Sequence, residues 1–254
     1  MISKIADNIT SPMGMTTTEN YQCVLNGESR LVNQRGKWEL PFDFVASLFT
    51  NEQWEKLRIE GMTRFESLAI YSIREALSHT RIDVKSARTC LIISTTKANI
   101  ELISTDAQKT APAIGAQHIA SNIGVTTEPI VVCNACISGT AAIILAQRLL
   151  QSGDYDTSIV CGCDVVGELV TSGFQSLKAL SPEPCHPFDI ERIGLNLGEA
   201  AATIILSNSD DAGPNTWKIA GGAIRNDTFH ITTPSPKGKG CTDAIKTVLE
   251  NCRK

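Results

Sequence analysis

The sequence has few aromatic residues and no long uninterrupted apolar segment. Aromatic side chains make up 5% of its 254 residues, so the core must be built mainly from Ile, Leu, Val and Ala. The longest nearly uncharged stretch, Pro129–Ala146, contains Cys, Asn, Ser and Gly and is too polar for a membrane span, which needs about 20 apolar residues. The N-terminal segment also lacks the apolar region of a signal peptide. We therefore expect neither a membrane span nor secretion.

Positively charged residues are fewer than negatively charged ones. The chain has 23 Lys and Arg against 27 Asp and Glu, which gives a net charge of −4. A protein that binds nucleic acid through general phosphate attraction should be basic, so we expect no nucleic-acid partner. Apolar residues reach 42% and charged residues 20%, which is typical of a folded chain. No linker, repeat or low-complexity tract divides the sequence, so we expect one domain over residues 1–254.

The nine cysteines do not form the pattern of a secreted disulfide framework. Their number is odd, and some lie inside apolar runs, such as Cys90 in TCLIIS and Cys161 in SIVCGC. Buried thiols of this kind are typical of a reduced, cytoplasmic protein.

Short apolar runs alternate with amphipathic stretches along the chain. Thr63 and Glu66 have capping-box spacing and precede a helical pattern over residues 64–79. Further helices are expected near residues 111–123, from Ser138 to a C-terminal cap at Gly153, and over residues 243–252. Five buried strands are expected, at residues 89–94, 128–133, 158–163, 201–207 and 217–221. Strands that are apolar on both faces and alternate with helices predict an α/β protein whose sheet is covered on both sides.

Cys133 and Cys136 form a C-x-x-C motif where a predicted strand meets a predicted helix. The pair could be a thioredoxin-like redox pair, or part of a zinc site with Cys161 and Cys163. One of the two could instead be a nucleophile, because a helix N-terminus favours a thiolate and can hold an oxyanion. Two buried structural cysteines are the fourth reading, and spacing alone leaves all four open.

The remaining chemistry-bearing residues give weaker indications. No two of the four histidines have metal-ligand spacing, so no metal is expected. His230 is the local candidate for a basic partner of a cysteine nucleophile. Glycine-rich phosphate-binding motifs are absent, which argues against a nucleotide cofactor.

Several motifs occur in one order along most of the chain, and together they resemble the N-terminal half of a β-ketoacyl synthase. The resemblance runs from about Ile9 to Leu249, opens with Ile9-Thr10-Ser11-Pro12-Met13-Gly14 and includes Asn134-Ala135-Cys136, where the family has Thr-Ala-Cys. The most specific block is GF…LKALS…C-x-PFD-x-x-R-x-G-x-x-LGEA over residues 173–200. These condensing enzymes of fatty-acid and polyketide assembly have the thiolase fold. The resemblance therefore implies the N-terminal half of that fold, with a mixed, largely parallel, five-stranded sheet.

The resemblance also implies roles for individual residues. Cys136 matches the nucleophile that takes an acyl chain from acyl carrier protein as a thioester, and its backbone N–H matches half of the oxyanion hole. Phe188 and Asp189 match a loop that shapes the wall of the site. Thr232 and Thr233 match hydroxyls that line the pantetheine tunnel. His230 matches a non-catalytic position, so it is withdrawn as the base.

The implied reaction is acyl transfer to Cys136, decarboxylation of malonyl carrier protein and carbon–carbon bond formation. The phosphopantetheine of the carrier protein would bring the substrate, with no metal or diffusible cofactor. The strand at residues 128–133 would pair across a dimer axis, in a homodimer or in a heterodimer with another synthase chain. The two histidine motifs of the family's C-terminal half are not in this sequence. We therefore expect this chain alone to perform at most the acyl transfer.

Alternatives remain beside this function. The chain could be a non-catalytic partner or scaffold of a complete synthase, as a chain-length factor is, or a thiol-redox protein that uses Cys133 and Cys136. In the thiolase fold the helix after Cys136 packs against the other half, so we expect its AAIILA run to be exposed here. The chain would then be a fragment, need a second chain, or have evolved a cover for this surface.

Overall fold

The structure is a computed structural model that describes residues 2–208, 216–229 and 235–252. It contains nine strands and seven α-helices within those ranges. The strands are β1 (Ile2–Thr10), β2 (Val32–Gln34), β3 (Phe44–Ser47), β4 (Thr89–Ser94), β5 (Ile130–Val132), β6 (Thr157–Asp164), β7 (Leu197–Gly198), β8 (Ala200–Ser207) and β9 (Lys218–Ile219). The helices are α1 (Thr17–Leu25), α2 (Asn51–Leu57), α3 (Arg64–Ser78), α4 (Pro112–Ile123), α5 (Ser138–Gln151), α6 (Glu168–Ser176) and α7 (Lys239–Cys252).

The main sheet has the strand order β5-β4-β6-β8-β1-β9 in the part of the chain described. The pairings β4–β5 and β4–β6 are parallel, and β6–β8, β8–β1 and β1–β9 are antiparallel. The predicted α/β class and mixed sheet are confirmed. The predicted number of five strands is wrong, and the sheet is not largely parallel, because β1 inserts between β8 and β9 and pairs antiparallel with both.

Helices cover both faces of this sheet, as the apolar strands predicted. Alternate residues of a strand point to opposite faces. Leu91 and Ile93 of β4 therefore pack in the larger core cluster with helices α3 and α4, whereas Cys90 and Ile92 pack in a second cluster with α5. All four are fully buried.

The apolar run of α5 is more covered than expected. Ala142, Ile144 and Ala146 are buried, and Ile143 and Leu145 are partly buried. The sheet covers one side of the helix, and Gly222 lies against Ile144 so closely that a Cβ on it would come within 2.3 Å of Cγ1. The expectation of an exposed run is therefore wrong for most of its length.

The termini of three helices are defined by capping boxes. Thr16, Thr50 and Thr63 each accept a hydrogen bond from the backbone N–H three residues later, at the starts of α1, α2 and α3. The capping box predicted at Thr63 is thus confirmed. No helix in the described ranges has both the length and the apolar character needed to cross a membrane.

A second, small sheet joins β2, β3 and β7. Strand β3 pairs in parallel with β7, which places Ser47 opposite Gly198. Because β8 of the main sheet begins at Ala200, the two sheets are linked through Glu199. This link brings the small sheet to the edge of the pocket described next.

Candidate functional site

A tight turn joins strand β5 to helix α5 and presents Cys136. Ala135 has a φ of 46°, in the left-handed region that costs a residue with a Cβ about 1 kcal/mol or more. The N–H of Ile137 donates to the carbonyl of Asn134 over 3.2 Å. The hydroxyl of Ser138 donates to the Ala135 carbonyl over 2.7 Å and accepts from the Asn134 N–H over 2.8 Å. The turn is therefore held by its own hydrogen bonds in a strained conformation.

Cys136 lies two residues before the first residue of α5 and is exposed. It borders a pocket of about 260 Å³. The other lining residues come from the ends of β4 and β6, the start of α5 and the β7–β8 junction: Ser94, Thr96, Ala135, Ser138, Gly139, Gly162, Cys163, Asp164, Gly198 and Ala200. The N-terminus of a helix carries a partial positive charge, which stabilises a developing oxyanion at this position.

Asp164 is the carboxylate of this pocket, and it is held by the segment that follows β4. Its Oδ1 accepts from the Thr95 hydroxyl over 2.9 Å, and its Oδ2 accepts from the Thr96 hydroxyl over 3.0 Å. The Lys97 ammonium lies 3.4 Å from Oδ1. The last residue of β6 and the residues that follow its parallel neighbour β4 thus meet at the carboxyl edge of the sheet, in the pocket that Cys136 borders.

Asp164 was not picked out from the sequence, although Gly198 lies in the block that carries the family resemblance. An indication was nevertheless present, because TCLIIS and SIVCGC both read as buried strands and polar residues follow each. The carboxyl ends of parallel strands meet at one edge of a sheet, where α/β proteins place their ligands. That Asp164 and Cys136 line one pocket depends on strand order, which the sequence does not state.

Glu199 connects this pocket to the rest of the fold. Its side chain is fully buried, and its Oε1 accepts from Arg64 Nη2 over 2.8 Å. The backbone N–H of Phe49 donates to Oε2 over 3.0 Å, and that of Val166 to Oε1 over 3.2 Å. Burial raises the pKa of this carboxyl, although Arg64 and the two N–H donors counteract the shift. The neighbouring Gly198 and Ala200 both line the Cys136 pocket.

The other predicted members of a zinc site are buried thiols. Cys161 and Cys163 lie in β6, and burial raises the pKa of Cys161 to about 12 and that of Cys163 well above its ordinary value. In the described ranges no group of three or more His, Cys, Asp and Glu side chains is placed to hold a metal ion. The structure therefore does not bring the four cysteines of the zinc prediction together as one metal site.

Phe188 and Asp189 lie on an exposed loop and do not line the Cys136 pocket. Phe188 is completely exposed and has a φ of 65°, and its neighbour Ile190 is 94% exposed. Their part in the wall of the site stays a prediction. Thr232, Thr233 and His230 lie outside the described residues, so their predicted positions are not tested.

Comparisons with known proteins give the family. Residues 27–212 match the family model "Beta-ketoacyl synthase, N-terminal domain". This match covers more than half of the sequence, so the chain belongs to the β-ketoacyl synthase family, as the motifs predicted.

Curated relatives agree with this assignment. The 3-oxoacyl-[acyl-carrier-protein] synthase 2 of Staphylococcus aureus is 24% identical over 226 residues, which cover 78% of this chain and 56% of that protein. The enzyme of the same name from Synechocystis is 37% identical over 129 residues, which cover 46% of this chain and 31% of that protein. The chain thus spans about half the length of the first of these relatives.

Solved structures confirm the thiolase-like fold. A β-ketoacyl synthase from Burkholderia phymatum has a TM-score of 0.81 at 19% identity, covering 99% of this chain and 70% of that one. A ketosynthase in complex with its chain length factor from Xenorhabdus doucetiae has a TM-score of 0.77 at 22% identity, with coverage of 99% and 68%.

Proposed function

We propose that this chain supplies the nucleophilic half of a β-ketoacyl synthase and that Cys136 accepts an acyl group from acyl carrier protein. The observation that carries the proposal is the placement of Cys136. It is exposed, it borders a pocket, and it stands at the start of α5 after a left-handed Ala135. Nucleophilic catalysis of this kind divides the condensation into formation of a thioester and its later attack by an enolate.

The balance of the first step is simple. The Cys136 thiolate attacks the carbonyl carbon of the acyl thioester, and the phosphopantetheine thiolate of the carrier protein leaves. The oxygen that becomes negative in between needs hydrogen-bond donors, and the Cys136 N–H at the start of α5 is one candidate. No metal or diffusible cofactor takes part in this scheme, and the cytoplasm is the compartment that keeps the thiol reduced.

Later steps need residues that this sequence does not provide. The resemblance assigns decarboxylation of malonyl carrier protein to two histidines of the family's C-terminal half. We also propose that this chain pairs with a second synthase chain, in a homodimer or a heterodimer. Strand β5 supports this, because in the described part of the chain only β4 pairs with it. Its free edge is open to a strand from a partner.

The acyl-transfer step is tested by mass spectrometry. The purified chain is incubated with acyl carrier protein loaded with a medium-chain acyl group and digested with trypsin. Residues 110–148 contain no internal Lys or Arg, so Cys133 and Cys136 fall in one peptide, and fragmentation assigns the acyl group to one of them. We expect the acyl mass on Cys136, its loss in Cys136→Ala and its retention in Cys133→Ala. No adduct on the folded wild-type chain, or equal loss in both variants, would contradict the proposal.

A second candidate function is that of a non-catalytic partner, comparable to a chain length factor. The structural similarity to ketosynthase–chain length factor complexes supports it. The presence of Cys136 argues against it, because a partner without chemistry needs no exposed thiol. Sedimentation velocity with a complete synthase, followed by condensation assays on the complex, separates the two. If the chain is a non-catalytic partner, the condensation activity of the complex should not change when Cys136→Ala replaces the wild-type chain.

A further inference from the structure

Cys133 and Cys136 form an exposed pair of thiols at the candidate nucleophile. Both are free and exposed, and Cys133 Sγ makes only a weak contact of 3.7 Å with the Thr96 carbonyl. The chain turns sharply at Ala135, and the Asn134–Ile137 hydrogen bond closes a turn that contains Cys136 and begins directly after Cys133. Cys133 and Cys136 have the C-x-x-C spacing of redox-active cysteine pairs, and a disulfide needs Cα atoms about 4.4–6.8 Å apart.

The cysteines in the strands of the main sheet differ from this pair in exposure. Cys90, Cys161 and Cys163 are buried, and burial raises the pKa of each thiol. Exchange with a disulfide requires an accessible thiolate, so these three are expected to be inert. Accessibility and C-x-x-C spacing thus select Cys133 and Cys136.

We propose that Cys133 is a resolving cysteine and that Cys133 and Cys136 form a reversible disulfide which switches off acyl loading. This proposal concerns the regulation of the same site. The loss of acyl loading therefore rests on the proposed function, whereas formation of the disulfide does not. The oxidant is a low-molecular-weight disulfide of the glutathione type.

The chemistry is thiol–disulfide exchange in two steps. The Cys136 thiolate attacks one sulfur of glutathione disulfide, and one glutathione thiolate leaves. The Cys133 thiolate then attacks the Cys136 sulfur of the mixed disulfide, and the second glutathione thiolate leaves. Both cysteines are oxidised, and the two leaving thiolates take up the two protons that the cysteines lost. An excess of a dithiol reverses both steps.

The consequence for the site is direct. A sulfur held in a disulfide has no thiolate to attack an acyl thioester, so the oxidised chain cannot load an acyl group. The mixed disulfide blocks Cys136 in the same way but adds a bulky group. The internal disulfide adds no atoms to the pocket, and it shields the sulfur from further oxidation to sulfinic acid.

Mass spectrometry of the unreduced wild-type chain tests the disulfide without any variant. The chain is incubated with glutathione disulfide, treated with iodoacetamide and digested with trypsin. Because residues 110–148 contain these two cysteines alone, the peptide mass reports their state. We expect a peptide that is lighter than the reduced form by two hydrogen atoms and carries neither glutathione nor an alkyl group. A dithiol added before iodoacetamide should restore two alkylation sites.

Variants identify the role of each thiol. In Cys133→Ser we expect a stable glutathione adduct on Cys136, since nothing resolves it. Cys241→Ser is the matched control, because Cys241 is also exposed but lies on α7, away from the pair. We expect it to form the 133–136 disulfide as the wild type does. A wild-type peptide that keeps glutathione on Cys136, or that is alkylated at both cysteines after oxidation, would overturn the proposal.

Acyl loading then separates this proposal from the proposed function. We expect loading of the wild type to fall at least tenfold after glutathione disulfide and to return with dithiol. If the chain accepts the acyl group equally well before and after treatment with the oxidant, the switch is refuted and the acyltransferase proposal is retained. A disulfide that forms in a chain which never accepts an acyl group would refute the acyltransferase proposal and leave a redox pair.

Discussion

Arg64 donates a hydrogen bond to Glu199 over 2.8 Å and so joins the first turn of α3 to the β7–β8 junction. Arg64 also stacks on Trp54, with its guanidinium carbon 4.2 Å from the ring centroid. Gly198 and Ala200, on either side of Glu199, line the Cys136 pocket. The ion pair therefore links this part of the candidate site to α3. Its strength has consequences for both stability and pH response.

Removal of the cation should destabilise the fold. In Arg64→Ala, Glu199 stays buried with only two backbone donors. Breaking a fully buried pair costs about 3–5 kcal/mol, and the partial exposure of Arg64 reduces the expected loss to about 1–3 kcal/mol. Urea denaturation measures it. Arg88→Ala, which breaks the exposed ion pair with Asp156, is the control and should change stability little. An equal loss in the two variants would show that the Arg64 pair has no special role.

The raised pKa of Glu199 also predicts the direction of a pH effect. Its ordinary value is 4.5, and burial raises the pKa in the folded state. The folded state therefore binds the proton more tightly than the unfolded state. The stability that this group contributes is present below about pH 4.5 and is lost as pH rises through the folded-state pKa. Urea midpoints between pH 4 and pH 7 should show this loss in the wild type and a shallower slope in Glu199→Gln. Parallel curves would contradict it.

Thiol reactivity should divide the cysteines by burial. We expect Cys133, Cys136 and Cys241 to react with a disulfide reagent in the native protein at neutral pH. Cys90, Cys161 and Cys163 should react only after denaturation, since burial keeps their thiols protonated. Timed alkylation followed by peptide mapping measures each site. Rapid native labelling of Cys161 would show that β6 opens readily.

Backbone strain at Ala135 should appear in glycine variants. Glycine adopts a positive φ without the cost that a Cβ brings, so Ala135→Gly should leave stability unchanged or raise it by up to about 1 kcal/mol. Ala113→Gly, on the exposed side of α4, should lower it by about 0.5 kcal/mol. Thermal unfolding measures both. A loss of stability in both glycine variants would mean that the turn at Ala135 is not strained.

Gly194 should be intolerant of a side chain. A Cβ at this position would lie 2.6 Å from the carbonyl oxygen of Ala179 and 2.9 Å from the backbone of Leu180. Gly194→Ala must therefore separate the loop from the Leu180–Leu195 bridge. We expect faster proteolytic cleavage of residues 182–196. Gly173→Ala has open space around its added Cβ and serves as the control. Unchanged cleavage in Gly194→Ala would contradict the close approach.

Strands with buried, β-branched runs could be predicted from the sequence, because such runs have few alternatives. TCLIIS was predicted as a strand over residues 89–94, and β4 has those bounds. The helix predicted over residues 64–79 ends one residue earlier, at Ser78. The strand-to-helix junction at Cys136 was also predicted from the sequence, whereas the role of Cys136 as a nucleophile stays a prediction. These features depend on local pattern and on short motifs.

Strand β1 was missed because its sequence, ISKIADNIT, is interrupted by charged and polar residues. In the structure Lys4 and Asp7 pair with each other, and Asn8 is buried because its amide donates to Thr10 and to the Met15 carbonyl. These partners lie within β1 or in the turn after it, so local contacts rather than an apolar pattern make the polar residues acceptable in this strand. That Asp164 and Cys136 line one pocket, by contrast, follows only from the strand order.

The pairing of β1 with β8 also affects how the chain folds during its synthesis. Ser3 of β1 pairs with Ser207 of β8, about 200 residues later. At roughly 5–20 residues per second, the ribosome needs about 10–40 s after the first strand emerges before its main neighbour exists. During that interval β1 lacks β8 as a partner, and the residues that the fold buries, such as Ile2 and Ala6, are without that cover. We therefore expect chaperones to bind this segment during synthesis.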